Sequence, residues 1–273
     1  MSCFIYLVGG LGNQMFEIAA AYAYCKRQGL RLVISADTGG RPKRPTYWTS
    51  FLVNCKRYIG SASPGPLWRE PSFSYKKIPE GASALQGFFQ SSRYFTDCTA
   101  DIRELFTPSE AVRDAVRAKY SYLLSHHPYV IMHVRRGDYF AKGCEHHGIL
   151  TPAYYKRAMA LFPDAFFIVI SDDSAWCREQ SWLSDTVVLE ESDECVALHF
   201  MSKFSNYILS NSSFSWWAAW LSTANKKRVI APDTWFGPGG PTTWDDIYEP
   251  DWIRLPIHEE QSLAQLSAGP VGH

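Results

Sequence analysis

Tyr129-Val130-Ile131-Met132-His133-Val134-Arg135-Arg136-Gly137-Asp138 is the stretch from which the fold can be worked out. Its first six residues are mostly apolar and do not alternate with polar ones. That pattern marks a strand covered on both faces of a parallel sheet. The polar residues gather where the strand stops. Ligands of open α/β sheets bind beyond the carboxyl ends of strands, so two arginines there form a candidate anion grip.

The alternation continues downstream. Thr151-Pro152 reads as a helix start, with Thr as N-cap and Pro at N1. Strands are expected over 165–170, 186–189, 207–209 and 228–231, and helices over 193–204 and 214–223. Upstream, a strand over 3–8 runs into Gly9-Gly10-Leu11-Gly12-Asn13-Gln14. Met15, Phe16, Ala19, Ala20 and Ala23 then recur at helical spacing, Gly29 is a helix stop, and a strand follows over 30–35. The segment from 36 to 100 is less regular. Gly39-Gly40 and the Pro-rich 61–71 read as loops, 84–95 feeds a core, and 108–124 is a helix leading out. The result is a two-part α/β chain, 1–125 and 126–258, with a small-residue tail at 259–273 expected to be disordered.

Composition narrows the function. The chain has 273 residues, with 27 basic and 27 acidic, which excludes a broad basic face for nucleic acid. Hydrophobic residues at 46% and charged residues at 20% exclude a disordered chain. No apolar run reaches the roughly 18 residues of a membrane span. No basic n-region of a signal peptide precedes the first apolar run, so a cytoplasmic protein is expected. Seven scattered cysteines without C-x-x-C point to reduced thiols rather than a disulfide framework or zinc knuckle. Aromatic residues reach 15%, ten of them Trp, which means ordinary core or a surface that stacks on sugars or bases.

Four clusters at strand ends are candidates for chemistry. Arg135 and Arg136 present planar donor forks suited to phosphate oxygens. Neighbours in sequence need not share a face, so one grips a ligand while the other pairs with an acid, or both form a surface ion pair. His133 is a core histidine or one that offers a ring nitrogen to a ligand. Gly10 and Gly12 allow backbone approach to an anion at a helix start, with Asn13 a ligand group or a cap. The run lacks the third glycine of the dinucleotide fingerprint and the Lys-Ser/Thr of a P-loop. Asp172 and Asp173 suit a metal, a guanine edge or a helix cap. Asn211, Ser212, Ser213 and Phe214 put hydroxyls and helix-start amides between a strand and an aromatic helix, where Trp216 and Trp217 pack over Trp220. Cys144, Glu145, His146 and His147 lack a metal-binding spacing and read as a loop lining an acceptor site.

Together these segments resemble the bacterial α-1,2-fucosyltransferases of glycosyltransferase family 11. The resemblance rests on the Gly9–Phe16 run, on Leu85-Gln86-Gly87-Phe88-Phe89-Gln90-Ser91, and on the run from His133 to Tyr139. It continues through Ser171-Asp172-Asp173 with Trp176, Asn211 to Leu221, and Val229-Ile230-Ala231-Pro232. It spans nearly the whole chain in order. The arginine motif is shared more loosely with α-1,6- and protein O-fucosyltransferases. Glu17-Ile18 departs from the usual Gln-Tyr.

The resemblance implies an α/β fold of the GT-B type, two facing Rossmann-like domains. The second half would bind GDP and the first would form the acceptor side. It implies inverting transfer of L-fucose from GDP-β-L-fucose to the 2-hydroxyl of a terminal galactose, with no metal and no resident cofactor. The acceptor would be a β-galactoside oligosaccharide or a lipid-linked glycan, held at the inner face of the membrane through that acceptor. Arg136 and Arg135 would stabilise the leaving phosphate, and Asn13, Gly10, Gly12, Asn211, Ser212, Ser213 and Phe214 would contact the donor. Asp172 or Asp173 would read guanine, with His133 nearby. The resemblance does not settle the base; by its place in the arginine motif, Asp138 is the carboxylate to take the acceptor proton or only to orient an arginine. Of the aromatic excess, most reads as core, with Phe88, Phe89 and Tyr94 the candidates for touching sugar. The competing readings are another fucosyl linkage, a nucleotide-sugar hydrolase and a GDP-sugar-binding module without catalysis.

Overall fold

The computed structural model describes residues 1–39, 44–61, 65–126, 128–137 and 144–257. Asp138 and the tail from 259 lie outside them. The first sheet holds β1 (Ser2–Val8), β2 (Arg31–Gly39), β3 (Leu67–Arg69) and β4 (Ala84–Gln86) in the order β2-β1-β4-β3, all parallel. Between β1 and β2 runs α1 (Leu11–Gln28), which Gly29 ends at φ 62°. The second sheet holds β5 (Val130–Val134), β6 (Phe167–Ser171), β7 (Val187–Leu189), β8 (Asn206–Ile208), β9 (Arg228–Pro232) and β10 (Ile253–Leu255). Its order is β10-β9-β8-β5-β6-β7, again all parallel. Among the described residues the further α-helices named are α2 (Thr99–Leu105), α3 (Glu110–His126), α4 (Cys144–His147), α5 (Pro152–Ala160), α6 (Ser174–Glu179), α7 (Glu194–Met201) and α8 (Ser213–Leu221).

All five residues of β5 are buried, which explains the unbroken apolar run. Ile131 packs into one apolar cluster, and Val130, Met132 and Val134 into another on the opposite face with Tyr154 and Tyr155 of α5. The first cluster continues through both sheets' halves, with α8 at its centre. Trp216 and Trp217 are fully buried. The ring of Phe16, on α1, lies 4.5 and 4.9 Å from theirs, and Phe95 stacks on Trp217. Trp220 stacks on Trp216 at 6.1 Å, as their spacing predicts. Arg103 of α2 covers the carboxyl end of α8, donating to Trp220 O and Leu221 O at 2.6 Å each. A guanidinium on the last carbonyls favours the helix dipole.

One expectation needs correction. The Pro-rich 61–71 contains β3, paired through Leu67 with Ala84. β10 carried no expectation at all. Both are three-residue edge strands flanked by prolines, too short for a periodic signal. Thr151 stands at the N-cap of α5 but its side chain makes no capping bond; Pro152 at N1 supplies the start.

Candidate active site

A cavity of about 710 Å³ lies between the two halves, along the carboxyl ends of the second sheet's strands. Its wall follows the strand order. Glu190, Glu191 and Glu194 line it beyond β7, Asp172 beyond β6, and His133 and Arg135 at the end of β5. Ser212 and Ser213 follow β8, and Trp235 and Phe236 follow β9. From β7 to β8 is three strand spacings, about 14 Å.

Two helices aim their amino ends at the middle of this wall. α1 begins after Gly10 with no side-chain cap, and α8 begins at Ser213; neither has an acidic residue in its first turn. The helix dipole and the first-turn amides suit each start to an anion, although Ser212 Oγ already accepts the Phe214 N–H at 3.3 Å. They meet closely: a Cβ on Gly12 would fall 2.6 Å from the Ser213 carbonyl carbon and 2.7 Å from the Phe214 nitrogen. Trp217 Nε1 donates to Gly12 O at 3.0 Å. Asn13, on the first turn of α1, accepts at Oδ1 from Ser213 Oγ (2.7 Å) and from Gln90 Nε2 (2.9 Å). Open space surrounds Gly10.

The structure separates the two arginines. Arg135 lines the cavity and pairs with Asp172 at 3.1 Å. Arg136 stands off the wall, its guanidinium 3.6 Å from the Trp176 ring centroid and its Nε 3.4 Å from Asp173. Asp172 also accepts the Arg136 backbone N–H (2.9 Å), and Gly137 leaves room for it, since a Cβ there would stand 2.5 Å from Asp172 Oδ2. Asp173 caps α6 by accepting from Trp176 N at 3.1 Å. Asp172 thus orients the arginine turn, and Asp173 is absent from the wall.

His133 is buried, with Nδ1 2.7 Å from Ser210 Oγ. Burial first, and the Arg135 charge second, push its pKa down to about 3, so the ring is neutral at physiological pH. The Asn211 amide donates to Trp235 O (3.0 Å), Gly148 O and His147 O, tying the β8–α8 turn to α4. Phe88 is 42% exposed on the wall, whereas Phe89 and Tyr94 are buried. The backbone N–H groups of Phe88 and Phe89 both donate to Glu70, at 2.9 Å, and Phe89 turns inward at φ 50°. That turn corrects the expectation that all three rings reach sugar.

The wall also holds groups the sequence did not single out: Tyr47, Gln90 and Glu194. Tyr47 Oη donates to Glu194 Oε1 at 2.5 Å, bridging the halves. Burial, then the Glu194 hydrogen bond and charge, raises the Tyr47 pKa, so the hydroxyl keeps its proton. Gln90 lies in the quoted 85–91 run, but Tyr47 lies in the irregular segment, where no pattern marks it. Glu17 is fully buried beneath the glycine turn and accepts the Val8 N–H at 3.0 and 3.1 Å.

Facing parallel α/β sheets around a cleft, with helix starts and an arginine at its middle and aromatic rings at one end, are the architecture of a glycosyltransferase. The comparisons place it. The family described as Glycosyl transferase family 11 matches residues 66–256, and the chain belongs to that family. It is 30% identical to an α-1,2-colitosyltransferase of Escherichia coli, over 91% of this chain and 97% of that one. It is 26% identical to the O-antigen biosynthesis glycosyltransferase WbnK of Escherichia coli, over 91% and 99%. It is also 26% identical to a rabbit (Oryctolagus cuniculus) galactoside α-(1,2)-fucosyltransferase 2, over 94% and 77%. Fucosyltransferase NodZ from Bradyrhizobium superposes with a TM-score of 0.53 at 15% identity, covering 89% of this chain and 97% of that one. POFUT1 in complex with GDP gives 0.53 at 12%, covering 84% and 97%. These likenesses carry the fold, which is of the GT-B type.

Proposed function

We propose that this glycosyltransferase moves L-fucose from GDP-β-L-fucose to the 2-hydroxyl of a terminal galactose, with inversion. The observation that carries the reading is the order of chemistry along the cavity. An acidic end can accept N–H groups of a nucleobase, and guanine presents two adjacent donors to one carboxylate. Glu194, held by Tyr47, is the best-placed reader. The middle, with Arg135 and two helix starts, suits a diphosphate. The aromatic end beyond β9, with Phe73 and Phe88 across from Phe236, suits apolar sugar faces. As the anomeric C–O bond breaks, charge develops on the β-phosphate where Arg135 and the helix-start amides already stand. The role expected of Arg136 passes to Arg135 in this scheme, with Arg136 holding the turn through Trp176 and Asp173.

The relatives support α-1,2 transfer: the galactoside enzyme is named for fucosyl transfer, and the 30%-identical relative for colitosyl transfer. A colitosyl donor, which lacks the 3-hydroxyl of fucose, is the second reading. Positive charge on the wall lets the reaction run without a metal ion. Among the described residues no helix is long and apolar enough to cross a membrane. We place the enzyme in the cytoplasm, meeting a lipid-linked acceptor at the membrane's inner face.

The test is an acceptor screen with GDP-fucose and GDP-colitose, followed by linkage determination and repeated with EDTA. An α-1,2-linked product on β-galactosides, unchanged by EDTA, is expected. Donor hydrolysis without transfer, or another linkage, would overturn the reading. Loss of activity in EDTA would overturn its metal-free part.

A further inference from the structure

Transfer to a hydroxyl needs a group to take its proton. The described carboxylates on the cavity wall lie at its β6–β7 end, and each is engaged. Asp172 pairs with Arg135, Glu190 with Arg178, Glu191 with Lys119, and Glu194 with Tyr47. They border the nucleobase end, on the far side of the phosphate cradle from the sugar. His133 is neutral, with one ring nitrogen on Ser210, and too weak a base for the task.

The opposite end carries two imidazoles. His146 and His147 of α4 both line the cavity, their rings 4.7 Å apart edge to face. Phe236 packs against both, at 5.5 and 6.4 Å, and meets Phe73 of the first half at 4.6 Å. The turn is pinned from several sides. Asn211, next to the Ser212 cap, donates to His147 O, while the Gly237 and Gly239 amides donate to His146 O (2.8 Å) and Glu145 O (2.6 Å). A Cβ on Gly240 would stand 2.5 Å from His146 O. A four-residue helix held this firmly presents its side chains at fixed positions. Of the two residues, His147 is the one whose backbone is tied to the phosphate cradle, and it is half-buried where His146 is exposed.

We infer that His147 is the general base that takes the acceptor's proton, with His146 and Phe236 holding its ring. The inference rests on the reading of the site as a GDP-sugar transferase. In the step, the acceptor oxygen bonds to the anomeric carbon as that carbon's bond to the β-phosphate oxygen breaks. The bonding pair leaves on GDP, and the hydroxyl proton passes to the imidazole. His146 and Glu145 flank His147 in its own turn, and Arg44 and Arg135 carry positive charge on the same cavity wall. Asn211 and the facing 235–241 loop carry no charge. An imidazole titrates near ~6.5 in water, suited to a base at neutral pH.

His147→Ala and His147→Asn are measured beside His146→Ala for transfer, GDP affinity and pH profile. General base catalysis is typically worth roughly 10²–10⁴-fold. Both His147 variants should lose at least about 100-fold in kcat while GDP affinity stays within about threefold. His147→Ala should lose the acidic limb of the wild-type pH profile and recover turnover with added imidazole. His146→Ala should lose less than about tenfold. His147→Ala transferring within tenfold of wild type would overturn the assignment. So would loss of GDP binding in step with loss of transfer, which would make His147 a donor contact. A wild-type protein inert with GDP-linked sugars would instead sink the donor reading, a result no His147 variant can produce.

Discussion

Ser213 Oγ lies 2.7 Å from Asn13 Oδ1, so the starts of two helices from different halves share one acceptor atom. Gln90 donates to the same oxygen. The amide oxygen is therefore occupied, and the amide nitrogen is the end of Asn13 left to meet a ligand. Asn13→Asp keeps the acceptor but sets a negative charge beside the diphosphate. It should weaken GDP binding more than Asn13→Ala does, by titration calorimetry. The reverse order would make Asn13 a purely structural tie.

Gly12→Ala forces a methyl group into the Ser213–Phe214 backbone, which no side-chain rotation relieves. Overpacking of this kind costs about 1–3 kcal/mol. At roughly 2–4 °C per kcal/mol for a chain of this size, Tm should fall by several degrees. Calorimetry that shows no shift would mean that the two helices separate easily.

The arginines should differ sharply. Arg135→Lys keeps the charge but loses the fork at the diphosphate, and transfer should drop at least tenfold, about 1.4 kcal/mol of barrier. Arg136→Lys loses its stacking on Trp176 and should change stability more than turnover. Steady-state kinetics and thermal melts on both variants decide between them.

Glu194→Gln replaces a carboxylate acceptor by an amide at the nucleobase end. GDP affinity should fall about tenfold, while affinity for ADP, which lacks the paired guanine donors, should change little. Equal losses for both nucleotides would remove Glu194 from base recognition.

Glu17 makes stability depend on pH. Burial, reinforced by the nearby Glu70 charge against the Val8 hydrogen bond, raises its pKa well above the carboxylate range. A carboxyl raised on folding adds stability that is complete below its unfolded pKa, about 4.5, and is lost as pH rises through the folded value. Glu17→Gln does not titrate, so its Tm advantage over wild type should be least near pH 4.5 and grow toward pH 8. A constant gap would mean that Glu17 titrates normally.

Much of this was legible in the sequence, for physical reasons. β5 showed as a strand because both its faces are buried, and its polar terminus pointed to the edge where the cavity lies because clefts of parallel sheets open at that edge. Gly10, Gly12, Asn13, His133, Arg135, Asp172 and Asn211–Phe214 all meet at the cavity for that reason. Arg135 and Arg136 could not be told apart, since consecutive residues at a strand end diverge and only Trp176 and the aspartates settle which turns in. Tyr47 reaches the wall through its bond to Glu194 across the halves, and Gln90 through Asn13 within the first half, contacts that local periodicity does not encode. β3 and β10 are too short to carry a period.

The aromatic core around α8 has a mechanical consequence. Rotating one half away from the other about a hinge would strip Phe16 and Phe95 from Trp216 and Trp217 and pull Arg103 from the end of α8. Exposing those four rings, at about 150–250 Å² each, would cost roughly 15–25 kcal/mol at about 25 cal/mol per Å², more than a typical domain's stability of about 5–15 kcal/mol. Any hinge that parted the two sheets at α8 would have to meet that cost, so the rings set the energy of opening the cleft from that side.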